Sequence, residues 1–237
     1  MSDTIPNPTR TPTPERPLTG LTVLLVEDSR FASEAVRLLC LRSGARIRRA
    51  DCLASADRHL KTYRPSIAIV DMGLPDGSGG DLIAEIRGLR GPHPVILGTS
   101  GDTALKEAAL AAGANGFLDK PIESLALFQD TILSALPEEM RPLGWRPLAD
   151  LVVEPDPLAL RDDLQRLSNL LHAVGAGMPL PALPYAAHFL SSVARSAHDA
   201  ALGDAAQRLG RRGGPSRDDM TRVTELLDER IAATGAF

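Results

Sequence analysis

The pattern of apolar positions changes character along the chain. Between residues 21 and 136, short runs of apolar and β-branched residues alternate with longer segments of helical period. The short runs, which predict strands, lie at 21–26, 45–50, 66–70, 94–98 and 116–118. The longer segments, which predict helices, lie at 31–42, 55–62, 80–90, 103–112 and 122–136. Because most strand runs are continuously apolar and each precedes a helix, they predict a doubly wound α/β domain around a five-stranded parallel sheet.

The pattern after residue 158 contains helical periods and no strand signal. The first apolar stripe steps by four, three, four and three residues through Leu160, Leu164, Leu167, Leu171 and Val174. The same spacing returns over 183–197, 202–209 and 220–231, with segments rich in glycine and proline between the stretches. Four amphipathic helices with short connections predict an all-α four-helix bundle.

Proline positions suggest where the domains begin and end. Residues 1–19 hold five prolines among polar and charged residues, a composition that predicts a disordered segment. The α/β domain is then expected over 20–137 and the helical domain over 157–237. The intervening 138–156 carries further prolines that exclude one long helix, so it is interpreted as a linker, packed in part through Trp145 and Leu151–Val153.

Composition narrows the class of protein. A hydrophobic content of 43% is ordinary for a globular chain, and the net charge of −4 disfavours binding of nucleic acid through bulk positive charge. The sequence has no apolar run long enough for a membrane span and no secretory signal pattern. Cys40 and Cys52 lack a CxxC partner and are interpreted as packing residues. A cytoplasmic protein without membrane contact is expected.

Acidic residues stand where the predicted strands end. Glu27 and Asp28 follow the first strand, Asp71 follows the third, and Lys120 follows the fifth. In an open parallel sheet these ends share one edge. Two carboxylates about 4 Å apart repel each other by about 4 kcal/mol at an effective dielectric constant near 20, so three of them require a cation. Oxygen ligands favour Mg²⁺, and Lys120 adds a fixed positive charge.

This combination of groups is suited to phosphoryl transfer. Asp71 is predicted to act as the nucleophile, while Mg²⁺ and Lys120 neutralise the oxygens of the transferring group. Thr99, at the end of the fourth strand, is predicted to donate a hydrogen bond to one of those oxygens. The alternative is that the acids are solvated residues on loops. Five charged or polar residues at the expected strand ends disfavour this alternative.

The motifs LLVEDS, IVDMGLPDGSG, VILGTSG and GFLDKP resemble the receiver domain of two-component response regulators over about residues 20–137. The resemblance implies a flavodoxin-like fold and phosphorylation by a histidine kinase or a phosphotransfer protein. It implies no enzymatic activity beyond self-catalysed aspartyl phosphorylation and dephosphorylation. The residues it assigns are the phosphoacceptor Asp71, the metal-site acids Glu27 and Asp28, the metal-ligating backbone carbonyl of Gly73, the phosphate-binding Lys120, and a switch pair, Thr99 and Phe117.

Two positions depart from the commoner receiver pattern. Glu27 replaces an aspartate, and Phe117 replaces a tyrosine whose hydroxyl is thereby lost. On phosphorylation, Thr99 is expected to move toward the phosphoryl group and the ring of Phe117 to turn inward behind it. A degenerate receiver normally lacks one of the acids, and none is missing from this sequence.

The second predicted helix of the C-terminal half resembles a histidine phosphotransfer module. That module carries H-x-L-K-G-S-A, and the matching residues here are His188, Leu190, Ser191, Ser192, Val193 and Ala194. Ser191 stands where the family has lysine and Ser192 where it has glycine. Arg195, seven residues after His188, lies on the same helix face and is hypothesised to supply the missing charge.

Three outputs are left open by the sequence. In the first, His188 is a phosphohistidine in a phosphorelay; in the second, the histidine is inert and the bundle is a dimerisation or docking adaptor for a downstream protein. The third, a transcriptional regulator, is disfavoured because residues 151–237 hold nine arginines, no lysine and eleven acids, which gives a net charge of −2. The remaining histidines are interpreted as surface or capping residues, namely His59, His93, His172 and His198.

Overall fold

The computed structural model describes residues 11–142, 151–175 and 182–234. Its strands are β1 (Thr22–Val26), β2 (Arg46–Ala50), β3 (Ile67–Asp71), β4 (Gly73–Leu74), β5 (Gly77–Ser78), β6 (Val95–Ser100) and β7 (Gly116–Asp119). Five of them form a parallel sheet in the order β2-β1-β3-β6-β7, while β4 and β5 pair as a small antiparallel hairpin. The predicted five-stranded parallel sheet is confirmed, and the hairpin is an addition that the sequence pattern did not indicate.

Helices cover both faces of this sheet. They are α1 (Arg30–Ser43), α2 (Leu53–Thr62), α3 (Gly79–Gly88), α4 (Leu105–Ala111) and α5 (Leu125–Ala135). Residues of α1 and α5, such as Leu39 and Phe128, join one apolar cluster, and residues of α2 to α4, such as Leu60 and Ile83, join the other. The central strand β3 is buried along its whole length, as its continuous apolar run predicts. It ends at Asp71, which places that carboxylate at the functional edge of the sheet.

The segment before β1 is exposed over residues 11–16 and buried at Pro17 and Leu18, so the disorder predicted over 1–19 does not extend to these two residues. Leu18 is fully buried in the core between α1 and α5, and its amide donates to the carbonyl of Ser43. The hydroxyl of Thr19 donates to the carbonyl of Arg16. Residues 1–10 lie outside the described part of the chain. The segment 11–19 therefore contains turns and places one leucine side chain, that of Leu18, in the core.

The predicted linker also has a packed portion. Val153 is buried in the same core, its amide donates to the carbonyl of Glu123, and the carbonyl of Leu151 accepts from the amide of Leu125. The expected packing through Leu151–Val153 is confirmed. Trp145 falls in 143–150, outside the described residues. These hydrogen bonds fix the point from which the chain enters the C-terminal helices.

Four helices follow, α6 (Pro157–Gly175), α7 (Ala182–Ser196), α8 (Ala200–Leu209) and α9 (Arg217–Ala233), and we call them the helical region. They share one apolar cluster, to which the predicted stripes contribute Leu164, Leu167, Leu171, Leu190, Leu202, Leu209, Val223 and Leu227. Asp199 caps α8, and Ser216 with Asp219 forms a capping box on α9. Within the described residues, no helix combines the length and hydropathy that a membrane span requires.

Candidate functional site

Three acids converge at the carboxyl edge of the sheet, as the strand ends predict. Glu27 and Asp28 follow β1, and Asp71 ends β3. One carboxylate oxygen from each lies within 4.8 Å of those from the other two, and all three residues are buried. Within the part of the chain that is described, this is the one group of histidine, cysteine or acidic side chains able to hold a metal ion.

Lys120 ties this cluster together from the end of β7. Its Nζ lies 2.6 Å from Oε2 of Glu27 and 2.8 Å from Oδ2 of Asp71. It also donates to Oγ of Ser192 in α7, at 2.7 Å, so each of the three ammonium hydrogens has an acceptor. Burial by itself lowers the pKa of Lys120, but attraction to Asp71 and Glu27 outweighs it and raises that pKa. The ammonium is therefore charged throughout the physiological range.

One lysine does not balance three carboxylates. Burial raises the pKa of Glu27 to about 8, with repulsion from Asp71 adding to it. Burial also raises the pKa of Asp28 to about 6, against a hydrogen bond from Tyr185 that lowers it. These raised values show that the cluster favours additional positive charge. Since the converging donors are carboxylate oxygens, the residues fit Mg²⁺.

Thr99 lies beside Asp71, because the two residues are register partners on β6 and β3. Its Oγ1 is buried and has no hydrogen-bond partner within the described residues, so a donor is available next to the carboxylate. The ring of Phe117 is already buried in the core formed with α2 to α4 and lies against Gly98, where an added Cβ would come within 3.1 Å of it. The ring is therefore buried in the described structure, and its inward turn on phosphorylation stays a prediction.

Two glycines allow close approach to Asp71. A Cβ on Gly79 would come 1.9 Å from the carbonyl oxygen of Asp71, so only glycine lets α3 begin there. Gly73 donates its amide to Oδ1 of Asp71 at 3.3 Å. A Cβ on Gly73 would lie 2.0 Å from Nε2 of His188. The loop that carries the predicted metal-ligating carbonyl is therefore in direct contact with α7.

The helical region covers the acidic cluster through α7. Tyr185 donates its hydroxyl to Oδ2 of Asp28, and Ser192 accepts from Lys120. His188 lies between them, and its Nε2 is buried without a hydrogen-bond partner among the described residues. Burial lowers the pKa of His188, while the charge of Asp71 opposes that change. His188 is thus a neutral imidazole that faces the acidic cluster.

Arg195 does not enter the cluster at Lys120. It lies over Gly101 in the loop after β6, where an added Cβ would come 2.9 Å from both Cδ and Nε of the arginine. The other histidines make local or peripheral contacts. Nε2 of His198 pairs with Glu123 at 2.8 Å. The other three histidines each have a ring nitrogen near a backbone carbonyl: His59 near that of Arg49, His93 near that of Ile86, and His172 near that of Ser168.

Sequence reasoning missed Tyr185 as part of the site. A signal was present, because Tyr185, His188, Ser192 and Arg195 step by three, four and three residues. This spacing places four polar side chains on one face of a helix whose other positions are mostly apolar. Spacing alone does not say what such a face contacts. The structure shows that it contacts the loops around Asp71.

Comparison with known proteins agrees with the first part of this fold. Residues 23–131 match the model of the response regulator receiver domain. The chain is 33% identical over 99 residues to the KDP operon transcriptional regulatory protein KdpE of Escherichia coli, which covers 42% of this chain and 44% of that protein. It is 34% identical over 100 residues to the virulence transcriptional regulatory protein PhoP of Salmonella typhimurium, with 42% and 45% covered.

The chain was also compared with solved structures, and one of the matches is a receiver domain. The response regulator receiver domain from Methylobacillus flagellatus is 24% identical and has a TM-score of 0.45, with 49% of this chain and 98% of that chain covered. The chain matches less than half the length of the two transcriptional regulatory proteins. In each of these comparisons the matched part is about half of this chain or less.

Proposed function

We propose that this chain, whose residues 23–131 form a response regulator receiver domain of two-component systems, accepts a phosphoryl group on Asp71. The observation that carries the proposal is the environment of this carboxylate. Asp71 is held 2.8 Å from Nζ of Lys120, inside a cluster of three acids and beside the hydroxyl of Thr99, which has no hydrogen-bond partner in the described parts of the chain. Because receiver domains interact with histidine kinases, we infer a phosphohistidine as the physiological donor.

In the proposed reaction, an oxygen of Asp71 attacks the phosphorus of the donor. The new O–P bond forms as the N–P bond breaks, and the electron pair of that bond returns to the donor's imidazole nitrogen. Lys120 and Thr99 bind oxygens of the transferring group and neutralise its charge. Glu27, Asp28 and Asp71 would hold Mg²⁺, which when bound supplies further charge neutralisation. The chain has no other catalytic activity in this proposal.

A labelled small phosphodonor tests the proposal. With Mg²⁺ present, we expect the purified chain to take up label that is lost in base and stable in mild acid, as an acyl phosphate is. Removal of Mg²⁺ with a chelator is expected to reduce the uptake strongly, because one lysine is left to balance three acids. Label that forms equally well without Mg²⁺ would contradict the proposed metal-assisted step.

We propose a protein as the target of the helical region. The match to the receiver-domain family ends at residue 131, and the net charge of −2 over 151–237 does not favour binding to a phosphate backbone. KdpE and PhoP are named as transcriptional regulators, and the region that they share with this chain is its N-terminal part. A DNA-directed output is therefore not proposed.

A second candidate function is phosphotransfer through His188. The observation in its favour is the buried Nε2, which has no hydrogen-bond partner among the residues that the structure describes and lies against Gly73, two residues after Asp71. In this step Nε2 attacks the phosphorus of the acyl phosphate, the N–P bond forms, and the O–P bond breaks to return the carboxylate of Asp71. Lys120, which reaches Ser192 one turn after His188, provides the positive charge that Ser191 does not.

The label on His188 can be identified by its chemistry. Phosphohistidine is lost in acid and stable in base, the reverse of an aspartyl phosphate. We expect the phosphorylated chain to carry some acid-labile label, and we expect His188→Gln to remove that fraction while the base-labile label stays. His172→Gln is the matched control, because His172 is exposed on α6. If the wild-type chain forms only base-labile label, His188 serves docking and the adaptor alternative holds.

A further inference from the structure

Asp163 of α6 joins the helical region to the receiver domain at the beginning of α1. Its Oδ1 accepts from the amide of Arg30 at 2.9 Å, and its Oδ2 accepts from the amide of Phe31 at 2.9 Å and from the hydroxyl of Ser29 at 2.7 Å. The carboxylate is 1% exposed. A carboxylate is favoured at this position because helix N-terminal amides lack partners within the helix and carry partial positive charge.

Arg166, one turn after Asp163, extends the contact to the metal-site acids. It donates to the backbone carbonyl of Asp28 at 3.1 Å and to the hydroxyl of Tyr185, also at 3.1 Å. Tyr185 in turn donates to the carboxylate of Asp28. A guanidinium and a phenol thus hold Asp28 from its outer side. We call Asp163, Arg166, Tyr185, His188 and Ser192 the docking face.

The docking face closes the site to molecules from outside. The exposed fractions of Asp71 and Glu27 are 1%, and those of Asp28 and Lys120 are 3% and 4%. Around the rim, Arg195 covers Gly101, and His198 pairs with Glu123. A phosphodonor must bring its phosphorus into contact with an oxygen of Asp71, and these exposures leave it no approach while α6 and α7 stay in place.

We propose that the helical region is an intrachain inhibitor of the phosphoacceptor site. Docking of α6 and α7 shields Asp71 from external phosphodonors, and phosphorylation of Asp71 releases them. The proposal rests on the proposed function of Asp71. It makes Asp163 the main anchor of the docked state, because this buried carboxylate accepts three hydrogen bonds and all of them come from the receiver domain.

Release follows from the space around Lys120. In the docked state its ammonium is shared among Glu27, Asp71 and Ser192. A phosphoryl group on Asp71 adds three oxygens at this point, and they compete with Ser192 for the ammonium. The docked state then loses the hydrogen bond between Lys120 and Ser192 and must accommodate the added oxygens in a space that is almost fully buried, so phosphorylation weakens docking. The released docking face then becomes available to a partner, and its chemistry fits another receiver domain with a free α1 N-terminus.

The test compares Asp163→Ala with Asp162→Ala in the full chain. Asp162 is the matched control because it is the adjacent residue of α6, is exposed, and pairs with the exposed Arg30 side chain. Two quantities are measured: the hydrogen-exchange rates of the amides of Arg30 and Phe31, and the initial rate of labelling by a small phosphodonor with Mg²⁺. Exchange reports docking without reference to phosphorylation.

Asp163→Ala is expected to raise both rates by about tenfold or more, since each hydrogen bond to a charged group contributes about 1.5–3 kcal/mol and 1.4 kcal/mol corresponds to a factor of ten. Asp162→Ala is expected to change either rate less than about twofold. Phosphorylation of the wild-type chain should also accelerate exchange at these two amides.

Unchanged exchange in Asp163→Ala would overturn docking through this residue. Faster exchange with an unchanged labelling rate would overturn the shielding of Asp71. If no variant takes up label while exchange accelerates as expected, the phosphoacceptor function is wrong and the docking contact stands. A destabilised helical region would show faster exchange in α8 and α9 as well, and acceleration spread in that way would overturn the specific role of Asp163.

Discussion

Asp71→Asn is expected to abolish the incorporation of base-labile phosphoryl label from a small phosphodonor. The amide that replaces the carboxylate is not an effective nucleophile toward phosphorus, and loss of a nucleophile lowers a rate by about a hundredfold or more. The substitution keeps the shape of the side chain and one oxygen that can accept from Lys120. The expected result is therefore a folded chain, with α7 still docked, that takes up no label above background.

Asp119→Asn is the matched control for this experiment. The same substitution of aspartate by asparagine is made at Asp119, which ends β7 one residue before Lys120 and is exposed. We expect its labelling rate to equal that of the unmodified chain. Equal labelling of Asp71→Asn and the unmodified chain would assign the phosphoryl group to another residue and remove the proposed function.

The chemistry of the site could be predicted from the sequence because each acid follows a strand. A strand that is continuously apolar has only one way to sit in a parallel sheet, and its last residue then lies at a known edge. Glu27, Asp71 and Lys120 lie at the ends of three different strands. In the structure, Nζ of Lys120 lies 2.6 Å from a carboxylate oxygen of Glu27 and 2.8 Å from one of Asp71. The pattern of strands and the identity of the terminal residues were sufficient.

The contact of α6 and α7 with this site could not be predicted, because docking between two domains produces no periodic pattern in the sequence. The polar stripe of α7 and the acid Asp163 beside the apolar stripe of α6 are both visible in the sequence. Each is equally consistent with a solvated helix face. Only the folded arrangement shows that Asp163 meets the N-terminus of α1 and that Tyr185 meets Asp28.

The packing of the segment before β1 could not be predicted for a related reason. The prolines of residues 11–19 predict a chain without regular structure, and this segment indeed has no helix or strand. Absence of regular structure does not exclude packing, however, and a single leucine was enough. Leu18 is as fully buried as the central strand residues, because its side chain joins the apolar cluster to which α1 and α5 contribute.

Lys120→Met is expected to lower the free energy of unfolding by about 3–5 kcal/mol, because it removes the one cation that faces two buried carboxylates. Methionine preserves most of the apolar volume of the side chain. The same change should also slow labelling at Asp71, since the phosphoryl oxygens lose their fixed positive charge. Urea unfolding followed by circular dichroism, in buffer that contains a chelator, measures the stability of both chains.

The loss of stability should depend on pH in a defined direction. Burial raises the pKa of Glu27 to about 8 in the folded chain, and the attraction of Lys120 works against that rise. Without the lysine, the pKa of Glu27 in the folded chain rises further. The unfolded chain releases this proton above about pH 4.3, so the folded state of Lys120→Met keeps it over a wider pH range than the folded state of the unmodified chain does. Stability decreases with increasing pH wherever the folded state binds more protons. Between pH 5 and about pH 8, Glu27 is protonated in the folded state of both chains, so the difference in their stability changes mainly above pH 8, where the unmodified chain releases this proton. The deficit of Lys120→Met relative to the unmodified chain is therefore larger at pH 9 than at pH 5.

Lys61→Met separates this effect from the general loss of a lysine. Lys61 is exposed and pairs with Asp57 one turn earlier in α2, so its replacement should leave the unfolding transition unchanged at both pH values. A deficit for Lys120→Met that is equal at pH 5 and pH 9, or larger at pH 5, would mean that the carboxylates near Lys120 do not depend on it for their charge. The cluster would then owe its arrangement to the surrounding apolar packing, and the electrostatic basis of the site would have to be revised.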